Sequence, residues 1–153
     1  MNRTKTAQRL RAAGLRPTVQ RVALAELLFT GCDRHVTAED LHAEAVARDI
    51  SLSVATVYNT LHQFTDAGLV RVLAIDGLKT WFDTNVADHH HFVVDGTGEI
   101  LDVEADDLVV SNLPEAPAGM EISHVDVIIR LRPRLLAPAD GAKADAQGDS
   151  VGR

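Results

Sequence analysis

A single cysteine, Cys32, in 153 residues excludes an internal disulfide and any zinc knuckle built from Cys-x-x-Cys pairs. No apolar run approaches the roughly 20 residues needed to cross a bilayer, and no charged-then-apolar signal segment opens the chain. The expected compartment is therefore the cytoplasm. Net positive charge is also missing, since the formal charge is −7, which is the wrong sign for a nucleic-acid binder. The distribution corrects that impression. Residues 1–82 hold ten Lys/Arg against eight Asp/Glu, a balance of +2, whereas residues 83–153 hold five against fourteen, a balance of −9. The first part, with Arg9, Arg11, Arg16 and Arg21 gathered near its start, can meet phosphate. The acidic second part suits metal capture and discourages its own contact with DNA.

What is present is a 46% hydrophobic chain, enough for one ordinary core or two small ones sharing an interface. Residues 4–13 favour helix and stop at Gly14. Thr18 is placed to cap a second helix carrying Val22, Leu24, Leu27 and Leu28. Thr37 with Asp40 forms a capping-box pattern for a third helix through Arg48. Ser51 or Ser53 caps a fourth, in which Val54, Val57, Leu61 and Phe64 share one side. Ala55, Thr56, Asn59 and Gln63 fall on the other side, with Tyr58 at its flank. A face of small and amide-bearing residues is what a major-groove reader needs. Asp76-Gly77 between two β-prone runs predicts a hairpin, and helices followed by a hairpin are the winged helix-turn-helix order.

Beyond residue 84, strands are predicted over 89–94, 99–103 and 121–131, with a short helix over 105–112. The fold class is thus α+β: a winged-helix DNA-binding domain over 1–83, then an α/β dimerisation domain over 84–136. Residues 137–153, almost without large apolar groups, are predicted to be disordered. Three strands and one helix bury little surface alone, so a second copy of the chain is the expected partner.

The chemistry centres on Asp88-His89-His90-His91-Phe92. In a strand, His89 and His91 project to one face, about 7 Å apart at their bases, and His90 to the other. Two such imidazoles can converge on one metal ion. Asp83 and Asp102 flank them in sequence, and His35 lies upstream beside the predicted DNA-binding unit.

Gly14-Leu15-Arg16-Pro17-Thr18, Gln20-Arg21, His35-Val36-Thr37-Ala38-Glu39-Asp40-Leu41, Ala55-Thr56-Val57-Tyr58-Asn59-Thr60-Leu61, Gly68-Leu69-Val70 and the histidine cluster occur in this order. Together they resemble the ferric uptake regulator family of dimeric, metal-responsive repressors, from about Thr4 to Leu131. Leu78-Lys79-Thr80-Trp81-Phe82-Asp83-Thr84-Asn85 before three histidines looks most like the family's iron response regulator branch. That resemblance implies control of iron and haem-biosynthesis genes, with iron or haem as the signal. It also implies a homodimer on an AT-rich inverted-repeat operator in double-stranded DNA. Arg16, Arg21 and Lys79 would then hold phosphate, while Thr56, Tyr58 and Asn59 approach bases.

The peroxide-responsive branch implies the metal ligands: His35, Asp83, His89, His91 and Asp102. This nitrogen/oxygen set suits Fe(II) or Mn(II). Filling the site would tie the two halves together, and emptying it would free a hinge near Thr84–Ala87. No structural four-cysteine zinc is expected. The family's second site needs an acidic residue near Val109, where none aligns, although His124 matches a ligand position. Haem at the histidine cluster, with His90 as an axial ligand, is a further cofactor implied by the branch, but the cysteine-proline motif of some members is missing. Cys32 is read as a small buried residue, and His42 and His62 as structural or surface groups.

Two other classes compete: a non-haem iron enzyme, and a haem-carrying or metal-buffering protein. Five protein ligands leave little room for substrate, so the chain is read as a regulator and not an enzyme. Within the regulators, peroxide sensing by oxidation of His35 and His89 is the alternative.

Overall fold

Hydroxyl caps start three of the four helices. In the computed structural model, which describes residues 3–134 apart from Asp76 and Leu78, α1 spans Arg3–Ala12 and ends at Gly14 with a positive φ of 76°. Thr18 accepts from the Arg21 amide to open α2, Val19–Leu28. Thr37 and Asp40 form a complete capping box on α3, Ala38–Val46. Ser53, not Ser51, caps α4, Val54–Asp66, by accepting from the Thr56 amide.

The helices enclose one aliphatic core of Leu10, Leu24, Leu28, Leu41, Val57, Leu61 and Phe64, joined by Phe82. Each such side chain contributes about 1.5–3 kcal/mol by leaving water. On α4 the inward set differs from the expected one: Val54 is exposed, and Thr60 is buried instead, its hydroxyl donating to the Thr56 carbonyl.

Two three-stranded sheets follow. The first pairs β1 (His35–Val36), β3 (Trp81–Asp83) and β2 (Arg71–Leu73), with β3 in the middle. β2 and β3 form the hairpin that the sequence predicts, although Asp76 of the expected two-residue Asp76-Gly77 turn lies outside the described residues. Such a turn would set Arg71 opposite Phe82, whereas the ladder sets Arg71 opposite Asp83 and closes at Leu73–Trp81. That one-residue offset decides which face Asp83 shares with Arg71.

The second sheet places β4 (His89–Val94) between antiparallel β5 (Ile100–Glu104) and parallel β6 (Ile128–Leu131). β6 is shorter than the predicted 121–131 strand. β4 offers it a partner only from His91 onward, and upstream residues such as Ile122 lie exposed with no strand beside them. The helix expected over 105–112 contracts to a single 3-10 turn, Ala105–Asp107. Val109 and Val110 disfavour helix, and with Val109 87% exposed no packing compensates. Leu73, Trp81, Val93, Ile100 and Ile128 form a small apolar seam joining the two sheets. The tail expected at 137–153, and residues 135–136, lie outside the described residues.

Candidate metal centre

Two cross-strand rows assemble the site. In the first sheet Asp83 stands between His35 on β1 and Arg71 on β2. In the second, His91 stands opposite Asp102, with His89 two residues away on the same face. His35 is held by its neighbour: Arg34 N–H donates to Thr84 Oγ1 at 2.8 Å, and Thr84 N–H donates to the Arg34 carbonyl at 3.0 Å. The Arg34 guanidinium donates to the Leu27 carbonyl at 2.8 Å and pairs with Glu44, tying this corner to α2 and α3.

Four groups converge: one ligand atom each from His35, Asp83, His89 and His91 lie within 4.8 Å of one another. His89 Nε2 is 3.0 Å and His91 Nε2 3.4 Å from Asp83 Oδ2, while His35 Nε2 is 3.8 Å from Oδ1. Asp102 closes the group from the solvent side. Its Oδ1 lies 2.9, 3.4 and 3.8 Å from the Nε2 atoms of His35, His89 and His91, and 28% of its side chain is exposed. The three imidazoles meet edge to face, with ring centres 5.2 Å apart for His35–His91 and 4.5 Å for His89–His91.

The protonation states favour a cation. Burial lowers the His35 pKa below 6.5, against the opposing pull of Asp83 and Asp102. Burial alone would raise the Asp83 carboxyl, but the His91 hydrogen bond, the Asn85 N–H at 2.8 Å and the nearby His35 and His89 hold it below its ordinary range. Neutral imidazole beside ionised carboxylate is the state that binds a divalent ion. His89 Nδ1 lies 2.8 Å from the Ala87 carbonyl, which can only accept. The Arg71 guanidinium Nη2 lies 3.0 Å from the same Nδ1 and 3.2 Å from Nε2, and Nε2 itself faces the Asp83 and Asp102 carboxylates. His35 Nε2 is buried without a hydrogen bond: Asp102 is close enough at 2.9 Å but not aligned with the ring N–H direction. A buried ring nitrogen among carboxylates with no hydrogen-bond partner fits a ligand to a metal.

The sequence profile of the ferric uptake regulator family matches residues 12–130. This chain belongs to that family. It is 34% identical to the peroxide operon regulator of Bacillus subtilis over 116 residues, covering 75% of this chain and 79% of that protein. It is 33% identical to the ferric uptake regulation protein of Vibrio vulnificus, covering 75% and 77%. Among solved structures, the ferric uptake regulator of Pseudomonas aeruginosa with manganese superposes with a TM-score of 0.64 at 27% identity, covering 84% of this chain and 98% of that one. Family members are metal-responsive, DNA-binding regulators of transcription and not enzymes. The fold is the family's: a helical unit with a small wing sheet, then a mixed dimerisation sheet.

Within this ferric uptake regulator fold, the five residues expected from the sequence to be metal ligands come together, and the remaining histidines do not join them. His90 points to the opposite face, is buried, and accepts from the Val127 N–H at 3.4 Å. His124 is exposed and paired with Asp126 at 3.2 Å. His42 bonds the Leu52 carbonyl at 2.9 Å, and His62 meets Tyr58 and Phe82 edge to face. Cys32 is exposed, not buried: it sits in the loop after α2, outside the core.

Between α2 and α4, Thr56, Asn59, Gln63, Arg21 and Thr18 line a groove of about 290 Å³. Arg21 Nε donates to Gln63 at 3.0 Å and Nη1 to the Arg16 carbonyl at 2.9 Å. Arg16 and Lys79 are exposed. Arg9 instead lies over the Phe29 ring, 3.7 Å from its centre. Tyr58 is half turned toward the protein, its ring 4.5 Å from His62 and 6.3 Å from Phe82. The residue that sequence reasoning missed is Arg71, whose Nε donates to Asp83 Oδ2 at 3.3 Å. Its spacing from Asp83 across a hairpin was the available signal, hidden by the register offset.

The depressed His35 pKa has a sign that can be tested. Below about pH 6.5 the unfolded chain takes up a proton at this residue that the folded chain resists, so stability falls as pH drops through that range. Asp83, depressed below 3.8, loses its contribution only at much lower pH. Urea titrations of metal-free protein at about pH 7.5 and 5.5 should show wild type losing stability and His35→Gln losing less. Equal losses would contradict the burial of a neutral His35.

Proposed function

We propose that this chain is a metal-responsive repressor that binds an AT-rich, inverted-repeat operator as a homodimer. The reading unit would be residues 1–83 and the metal-binding dimerisation unit residues 84–136. One observation carries the proposal: His35, anchored to the helical unit through Arg34, shares a ligand cluster with Asp83 and with His89 and His91 of the second sheet. His35, Asp83, His89, His91 and Asp102 would hold Fe(II) or Mn(II), as their nitrogen/oxygen donors favour. A bound divalent ion would supply one positive centre attractive to both units. The residues then do the positioning, since Asp83 ends the wing strand and His89 and His91 start β4.

On DNA, α4 would enter the major groove with Thr56, Tyr58 and Asn59 near bases, while Arg16, Arg21 and Lys79 meet phosphate. The groove between α2 and α4 supports this placement, because amides and hydroxyls line it beside Arg21. Exposed Val109, Val110, Leu113, Met120 and Ile122 on the second unit support a dimer. Control of iron and haem-biosynthesis genes is the finer reading. It rests on the run Lys79-Thr80-Trp81-Phe82-Asp83 and the histidine cluster. Haem as the signal has only that branch likeness behind it, since His90 already accepts from Val127.

Asp102→Ala tests the repressor reading with little risk to the fold, because the side chain is partly exposed. Manganese affinity should fall at least about tenfold, and the metal dependence of operator binding should vanish with the helical circular dichroism unchanged. Operator binding that still responds to manganese as in wild type would refute it.

A second reading, peroxide sensing, draws on the Bacillus relative and on His35 and His89 both reaching one ion position. Mass spectrometry of the Fe(II)-loaded protein after peroxide treatment separates the two. Added oxygen at His35 or His89 supports peroxide sensing, and its absence leaves the metal-sensing reading.

A further inference from the structure

Beside the ligand cluster stands a fixed positive charge. Arg71 pairs with Asp83 across the β2–β3 ladder, and its guanidinium lies against two of the four clustered groups. Nε donates to Asp83 Oδ2 at 3.3 Å; Nη2 lies against the His89 ring, 3.0 Å from Nδ1 and 3.2 Å from Nε2, and donates to the His89 carbonyl at 3.3 Å. Both Asp83 Oδ2 and His89 Nε2 are atoms that a metal ion would need. Unlike a histidine, an arginine cannot shed its proton to make room. It has to move. On its outer side Nη1 is already 3.8 Å from Asp126 Oδ1, a carboxylate at the protein surface.

We propose that Arg71 is a tethered cation of the metal centre: it neutralises Asp83 when no ion is bound, and it competes with the ion for Asp83 and His89. Ion binding displaces the guanidinium toward Asp126. The affinity of the centre is thereby set by the difference between two cations for one carboxylate, and Arg71 with Asp126 raises or lowers the metal concentration at which the site fills. The inference rests on the reading of this cluster as a metal centre. It adds a residue that is not a ligand but decides how strongly the ligands hold.

The test is Mn(II) titration of the full chain by calorimetry, with free ion followed by electron paramagnetic resonance. Arg71→Gln should bind Mn(II) about tenfold tighter than wild type, since a like charge has been removed from a few ångströms away. The same variant, metal-free, should melt at a lower temperature, because Asp83 loses its buried counter-charge. Asp126→Asn removes the landing carboxylate and should weaken Mn(II) by about threefold, and should have no effect in the Arg71→Gln background. Should Arg71→Gln fail to fold, Arg71→Met removes the charge while keeping an unbranched side chain of similar reach, and should likewise bind Mn(II) more tightly than wild type.

Equal or weaker Mn(II) binding by the folded Arg71 variants overturns the inference while leaving the metal centre standing. Failure of both wild type and Arg71→Gln to bind overturns both. Tighter binding by Arg71→Gln, with operator affinity indifferent to Mn(II), keeps the tethered cation and removes the regulatory reading.

Discussion

The Asp83 carboxylate is fully buried, and an ionised carboxylate out of water is tolerated only when opposite charge and hydrogen bonds replace its hydration. The partners that do so come from four stretches of chain. Arg71 arrives from β2, the Asn85 amide from the turn after β3, and His89 and His91 from β4. His35, from β1, is the contribution of the helical unit. One charged group therefore gathers both sheets around itself. The apolar seam of Leu73, Trp81, Val93 and Ile100 holds the same two sheets by a means indifferent to charge or metal.

The strand that carries Asp83 also touches α4. Phe82 alternates to the opposite face, is fully buried in the helical core, and lies 5.3 Å from His62 and 6.3 Å from Tyr58 on α4. A three-residue strand thus has the ligand cluster on one face and α4 on the other. Ion binding can shift the arrangement of the units only by the difference in its affinity for the two arrangements. The short strand gives any such difference a direct physical route to α4.

Much of this was legible in the residues themselves. Thr18, Thr37 with Asp40, and Ser53 announce their helices because capping is a local interaction between residues three apart. His89 and His91 share a face because strands alternate. His35, Asp83 and Asp102 became legible through family resemblance, since no local pattern links residues that far apart in sequence. What stayed hidden depends on pairing. Arg71 was masked because Asp76-Gly77 points to a register one residue away from the observed ladder. The 121–131 run alternates like a strand throughout, yet only the four residues with β4 beside them become one. Tyr58, placed by helical spacing at the flank of the Thr56–Asn59–Gln63 face, also packs on Phe82, a contact set by the wing rather than by α4.

The central claim is that one ion is gripped by imidazoles from both units. The most direct measurement is electron spin-echo spectroscopy of the Mn(II)-loaded protein with ¹⁵N-labelled histidine, counting the ring nitrogens coupled to the ion. Three in wild type and two in His35→Gln is the expected result, His35 being the one clustered imidazole contributed by the reading unit. The same count in both proteins would place His35 outside the ion's coordination and contradict the account.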